Sequence, residues 1–248
     1  MSDFLKIALE AGHAAMTLLN DSDTSELTIK SKTSHRDIVT QFDIASEAKI
    51  REILAKAFPE HSILGEEGGQ VGNSPYRWIL DPIDGTSNFA RGIPHYSVSI
   101  GLEKEGEGEV GVIMNPSLKD AYSAQKGSGA FKNGQAIRVS EGSELLRAFV
   151  TMSFGSKPED VKQASATWTK VLAGCQTLRR MGSTALELAL LAEGKIDAFI
   201  GYSQSPWDVA AGMVLVREAG GVAFFDEPKK LCIAASNTFI FEELNTLI

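Results

Sequence analysis

A chain of 248 residues, 43% of them hydrophobic, can bury a substantial core in one large domain or two smaller halves. Its net charge of −8 argues against a general nucleic-acid surface, although bound cations can reverse the field locally. Cys175 and Cys232 make no disulfide framework, no apolar run reaches the ~20 residues of a membrane span, and Met1-Ser2-Asp3 lacks the basic start of a secretory signal; the expectation is a cytoplasmic protein without a membrane partner.

Residues 4–19 carry Phe4, Ile7, Ala8, Ala11, Ala15, Leu18 and Leu19 at helical spacing, which predicts an amphipathic helix. Residues 21–34 are polar and loop-rich, with a short strand expected near 27–29. A second helix opens at Thr40 or Asp43 and stops at Phe58, before Pro59. Ile44, Ala48, Ile50, Ile53, Leu54 and Ala57 are its expected buried face. Short runs over 62–64, 77–80, 97–102, 109–114 and 120–125, separated by turn residues, predict a mostly antiparallel sheet. The second half alternates. Strand-like runs at 149–152, 197–200 and 222–225 are interleaved with helical ones at 158–172, 184–193, 209–219 and from Phe239 onward. That alternation favours layered α/β structure. The chain is therefore read as α/β (α+β), with residues 1–140 and 141–248 forming two halves packed as one unit.

Residues 78–89 hold the densest chemistry. Trp78-Ile79-Leu80 is an apolar run that delivers Asp81 and Asp84 on either side of Pro82, with Gly85-Thr86 directly after. Pro82 restricts the backbone and removes an N–H donor, and Gly85 permits a tight turn. Two carboxylates this close repel unless cations lie between them, and oxygen-only ligands suit magnesium. N–H groups after Gly85, opening a helix, could hold a phosphate. Taken alone, Asp-Pro and Asp-Gly are also ordinary turn signals. Two further acidic segments occur in similar settings. Glu66-Glu67 lie between glycines after Ile63-Leu64, and Asp208 follows Pro206-Trp207 at a helix start. Each has a plain alternative, a solvated loop and a helix cap respectively.

Together, Gly65-Glu66-Glu67, Asp81-Pro82-Ile83-Asp84-Gly85-Thr86 and Trp207-Asp208 resemble the signature of the inositol monophosphatase family of magnesium-dependent, lithium-sensitive phosphatases. The resemblance extends over nearly the whole chain. It includes Asp37–Asp43, the Gly127–Gly134 hairpin and Glu218-Ala219-Gly220-Gly221. It implies an α-β-α-β-α layered sandwich with the site between the halves, and a homodimer. It also implies two to three Mg2+ ions. Glu66, Asp81 and the Ile83 carbonyl would hold the first, while Asp81 would bridge to a second held by Asp84 and Asp208. Glu66 could serve a third through water. Thr86, backed by Asp43 and with Glu66 nearby, would act on the nucleophilic water. Asp84, Gly85, Thr86, Ser183 and Lys32 would face substrate or phosphate. Asp43 also reads as a helix N-terminal acid, Lys32 as a solvated lysine, Glu67 as either outer support or loop, and Thr184/Glu187 as a capping box. Arg179 and Arg180 could meet a phosphate or sit at the surface. The four histidines, His95 among them, show no zinc spacing.

Phosphate-monoester hydrolysis is among the slowest uncatalysed reactions, accelerated by enzymes up to about 10²¹-fold, so several carboxylates around cations are the expected apparatus. The expected substrate is a small phosphorylated polyol or sugar, inositol 1-phosphate first. Fructose 1,6-bisphosphate, alone or as a dual activity, is the alternative, with 3′-phosphoadenosine 5′-phosphate and histidinol phosphate behind it. Gly201 departs from the family pattern: relatives that read inositol hydroxyls carry glutamate seven positions before the Trp-Asp aspartate. Glycine there predicts a roomier, less inositol-specific pocket, with Tyr202, Ser203 or Gln204 able to substitute. A regulatory scaffold that retains the fold is the non-enzymatic alternative; the presence of Glu66, Asp81, Asp84, Thr86 and Asp208 together argues against it.

Overall fold

The computed structural model describes residues 2–23, 27–31, 38–142 and 144–248. Helix α1 (Asp3–Asn20) starts at Ser2, whose hydroxyl accepts from the Leu5 N–H at 3.3 Å. Strands β1 (Ile29–Ser31) and β2 (Ile38–Thr40) pair antiparallel, and β1 lies two residues beyond the expected position. Thr40 then caps α2 (Gln41–Ala57).

A sheet of eight strands follows: β3 (Ser62–Gly65), β4 (Gly69–Val71), β5 (Tyr76–Asp84), β6 (Ser97–Lys104), β7 (Glu107–Asn115), β8 (Asp120–Gln125), β9 (Ala130–Lys132) and β10 (Gln135–Ile137). Its order is β10-β9-β8-β7-β6-β5-β3-β4, antiparallel except where β3 runs parallel to β5. The short helix α3 (Thr86–Phe89) leaves the end of β5.

The second sheet has β11 (Phe149–Ser153), β12 (Thr177–Arg179), β13 (Ala198–Tyr202), β14 (Val222–Asp226) and β15 (Leu231–Ala235), in the order β12-β11-β13-β15-β14. β11 is parallel to both neighbours and the other pairs are antiparallel. Helices α4 (Pro158–Gly174), α5 (Thr184–Ala192), α6 (Pro206–Glu218) and α7 (Thr238–Leu247) complete the chain.

Three apolar clusters define the layers. Leu5, Ala8 and Ala15 of α1 and Ile50 and Leu54 of α2 pack on Trp78, Ile100 and Val112, one face of the large sheet. Its other face, with Ile113 and Tyr122, packs on α5 and α6 (Leu188, Leu215), which also cover Phe199 and Ala234 of the small sheet. The outer face of the small sheet, with Val150 and Ile200, is covered by α4 and α7 (Val171, Ile240, Leu244). The result is the α-β-α-β-α sandwich expected from the sequence. Gly111 lets α6 lie against β7, since a Cβ there would stand 2.3 Å from the Ala211 carbonyl.

One expected face was wrong. Ile44 is 56% exposed, and Ala48 and Ala57 also face solvent. The first half of α2 instead buries Asp43, Ser46 and Glu47. Helical periodicity marked an apolar stripe, but this stretch of α2 faces a polar site. Strands β4, β12 and β15 were also unforeseen, while α3 opens after Gly85 as that turn suggested. β4 and β12 are three residues long, and β15 (Leu-Cys-Ile-Ala-Ala) shows no alternation.

Candidate metal centre and active site

Strand β5 brings Asp81 and Asp84 to one place. In a regular strand, residues three apart face opposite sides. Here the pairing with β6 shifts between Asp81 and Asp84, around Pro82, and turns both carboxylates into one group. The third member comes from the other half of the chain. Asp208 sits in the first turn of α6, and one oxygen from each of Asp81, Asp84 and Asp208 lies within 4.8 Å of the others. Asp208 is also the capping acid: its Oδ2 accepts from the Ser205 N–H at 2.6 Å. The cap and the cluster are therefore both real for Asp208.

The cluster is electrostatically strained. Burial, and then the charges of Glu66, Asp84, Asp208 and Asp43, hold Asp81 well above the usual carboxylate range. Burial and the Asp84 charge do the same for Asp208. Burial pushes Asp84 up to about 6, against hydrogen bonds that favour its ionised form. A compact, buried, oxygen-only group of this kind fits a hard divalent cation. Ile83 N–H donates to Asp81 Oδ1 at 3.1 Å, and Pro82 O accepts from Ser46 Oγ at 3.1 Å, so the turn bearing the two aspartates is braced from within and from α2.

Thr86 opens α3 after Gly85, whose φ of 96° suits glycine. Its Oγ1 lies 3.1 Å from Asp43 Oδ1 and 3.0 Å from the Ile83 carbonyl, so its one proton can go to either. Asp43 is fully buried at the start of α2 and its Oδ2 accepts from Thr40 N (2.8 Å) and Thr40 Oγ1 (2.6 Å). The two sequence readings of Asp43 hold together: one oxygen caps the helix and the other meets Thr86.

Glu66 stands on the turn after β3, outside the three-aspartate group but within reach of its field, since its charge acts on Asp81 and Asp208. It lines a cleft of about 680 Å³ with Gly85, Thr86, Asn88, Phe154, Arg180 and Gly182. A second cavity of about 620 Å³ shares Glu66, Phe154 and Arg180 and reaches Asp208, Lys157 and Lys230. Arg180 lies 3.9 Å over the Phe154 ring and donates to the Phe154 carbonyl at 2.9 Å. Arg179 is turned elsewhere, onto Thr177 and the Leu178 carbonyl.

Ser183 is fully buried and reaches the centre through Asp84: its hydroxyl donates to Asp84 Oδ2 at 2.7 Å, and Ala185 N–H donates to the same oxygen at 2.6 Å. Asp84 thus takes the place of an N-cap for α5. The expected Thr184/Glu187 capping box does not form. Thr184 Oγ1 donates to Gln204 Oε1 at 2.8 Å, and Glu187 Oε1 accepts from Gly182 N–H at 3.0 Å. The helix starts one residue earlier than that spacing assumed, with Ser183 as its cap position. Burial pushes Glu187 up to about 7.

The roomier pocket expected at Gly201 is also corrected. A Cβ there would stand 2.7 Å from Gln204 Cγ and 2.8 Å from the Phe199 ring. The Gln204 side chain fills that space, 4% exposed, and its Nε2 donates to the Tyr202 carbonyl at 2.8 Å. The Tyr202 hydroxyl pairs with Thr167 at 2.7 Å, and of the three candidate substitutes Ser203 is the one that lines the cavity reaching Asp208. Asp37 and Lys32 lie outside the described residues. Sequence reasoning missed Ser46 and Glu47; their signal was available, because they lie three and four positions after Asp43, on the same helical face.

The inositol monophosphatase family model matches residues 1–243. The protein named Nus factor SuhB from Pasteurella multocida is 36% identical over 229 residues, 90% of this chain and 85% of that protein. Its counterpart of the same name in Xylella fastidiosa is 40% identical over 220 residues, 88% and 78%. Among solved structures, the extragenic suppressor protein SuhB of Bartonella henselae superposes with a TM-score of 0.93 at 34% identity, covering 99% of this chain and 98% of that one. The inositol monophosphatase of Anabaena gives 0.87 at 35% identity, covering 98% and 94%.

Proposed function

From the premise that the chain belongs to the inositol monophosphatase family, we propose that it is a magnesium-dependent phosphate-monoester hydrolase. One observation carries this: Asp81, Asp84 and Asp208, from two halves of the chain, converge within 4.8 Å beside the Thr86–Asp43 pair. Asp81, Asp84, Asp208, Glu66 and the Ile83 carbonyl would hold two to three Mg2+ ions. Bound there, magnesium would supply charge stabilisation for the phosphoryl oxygens and a lowered pKa for water.

The residues of the chain do the rest. Thr86 Oγ1 accepts a hydrogen bond from the attacking water while donating its own proton to Asp43 Oδ1. The water oxygen forms the new bond to phosphorus as the bond to the ester oxygen breaks; the attacking water's proton passes to Thr86 and Thr86's proton to Asp43, while the departing alkoxide keeps the bonding pair and takes a proton from solvent water. Asp43 Oδ2 stays with Thr40, which keeps the acceptor in place. Gly85 and Thr86 N–H groups would hold the phosphate, and Lys32 would add charge beside it. Ser183 acts by fixing Asp84.

Inositol 1-phosphate is the first substrate to expect, and fructose 1,6-bisphosphate the alternative. The structures named inositol monophosphatase from Anabaena and IMPase from Thermotoga maritima, at 35% and 32% identity, favour the former; Gly201 under Gln204 weakens it. With the same reading go two halves, 1–140 and 141–248, a homodimer, and a cytoplasmic location in keeping with unpaired Cys175 and Cys232. No described helix is long and apolar enough to cross a membrane. Relatives named as Nus factors rather than as enzymes favour a second reading, a binding role carried by the same fold.

Phosphate release with magnesium decides between these, measured on inositol 1-phosphate, fructose 1,6-bisphosphate, 3′-phosphoadenosine 5′-phosphate and histidinol phosphate. Turnover of the first or second, abolished by chelator, is the expected result. Silence on all four, with magnesium bound, would leave the binding role.

A further inference from the structure

Helix α2 braces the site at three points on one face. Asp43 meets Thr86, Ser46 holds the Pro82 carbonyl, and Glu47 enters the turn that carries Glu66. The Glu47 carboxylate is 3% exposed. Its Oε2 accepts from Glu67 N–H at 2.8 Å and its Oε1 from Gly68 N–H at 2.8 Å. Arg51 Nε donates to Oε1 at 2.7 Å, and Arg51 Nη2 donates to the Gly69 carbonyl at 2.6 Å. On the other side, Glu66 N–H donates to the Leu80 carbonyl at 3.2 Å. A Cβ on Gly65 would stand 2.5 Å from the Glu47 carboxyl atoms, so the glycine before Glu66 is what admits that group into the turn.

We propose that Glu47 is a positioning residue for the metal centre: by holding the Glu67 and Gly68 N–H groups it fixes the direction in which Glu66 presents its carboxylate to Asp81 and Asp208. The inference rests on the preceding reading of Glu66 as a metal ligand. Two acceptor oxygens meet two backbone donors and one guanidinium. A glutamine of the same shape turns an NH2 group towards one of those donors, so it preserves volume and breaks the clamp.

The test is calorimetric titration of magnesium into the metal-stripped full-length protein, alongside phosphate release as a function of magnesium. Glu47→Gln is expected to weaken magnesium binding about 10-fold or more, with kcat at saturating magnesium within about threefold of wild type. Arg51→Met, which leaves the acceptors and removes one donor, should shift binding the same way by less. Unchanged magnesium affinity in Glu47→Gln overturns the proposal, because a packing role would tolerate glutamine. If that variant does not fold, wild-type affinity in Arg51→Met overturns it instead. Glu66→Gln separates the two layers of the argument. Weakened binding there with wild-type binding in Glu47→Gln defeats the positioning role alone. Wild-type binding in Glu66→Gln removes the premise and the inference with it.

Discussion

Thr86 and Asp84 sit two residues apart and predict different phenotypes. Thr86 Oγ1 donates within the Thr86–Asp43 pair, and phosphate would be held by main-chain N–H groups. Thr86→Val should therefore lower kcat about 100-fold or more while leaving KM near wild type, as steady-state kinetics would show. Asp84 carries a buried charge beside Asp208 and Asp81. Asp84→Asn should lower turnover by roughly 100-fold through loss of a metal ligand. The same change removes a charge that burial disfavours, so the melting temperature in chelator should not fall, and is expected to rise. A variant that loses both activity and metal-free stability would show that the contacts to Ser183 and Ala185 outweigh the charge. These side chains were legible in the sequence because carboxylates between prolines and glycines form short local signatures. The partners of Ser46, Glu47 and Gln204 were not, although the first two share a helical face with Asp43 and Gln204 stood among the candidates near Gly201. Each of the three looks like an ordinary helix or loop residue until a partner 20 or more positions away is placed against it.

Elements carry these side chains to their places, and the cost of moving an element is set by how closely it packs. Helix α6 bears Asp208 and lies against β7 at Gly111. Gly111→Ala would set a Cβ 2.3 Å from the Ala211 carbonyl, backbone against backbone, where nothing can rotate away. The expected loss is about 1–3 kcal/mol in denaturant unfolding, together with weaker magnesium binding as α6 and Asp208 shift. Unfolding free energy equal to wild type would show that α6 has slack against the sheet. At this scale the sequence was readable where periodicity was strong, as in α1, α4 and α7 and the strands β6 to β8. It misled at α2, where the apolar stripe and the buried face diverge because the helix borders a polar site. It was silent at β4 and β12, which are too short to show a pattern.

Across the whole molecule the acidic centre couples metal, pH and stability. Asp81, Asp84 and Asp208 all have folded-state pKa values above their ordinary one, about 6 for Asp84. The folded protein without metal therefore binds more protons than the unfolded chain at mildly acidic pH. This contribution to stability is greatest below the ordinary carboxylate range and is lost as pH rises through the raised values. Scanning calorimetry in chelator should show the melting temperature falling as pH rises from the ordinary carboxylate range through the Asp84 value of about 6, and saturating magnesium should reduce that fall, leaving the part that belongs to Glu187, which burial pushes up to about 7. Identical profiles with and without magnesium would mean that the cluster binds no cation. The amino-acid sequence by itself determined the family, the layered α/β class and the identity of the clustered acids, because these rest on local strings and on periodicity. Only the tertiary structure decided that Ser183 serves Asp84, that Gln204 fills the space over Gly201 and that Glu47 grips the Glu66 turn. Those are contacts between segments far apart in the chain, and they exist only once burial has chosen which faces meet.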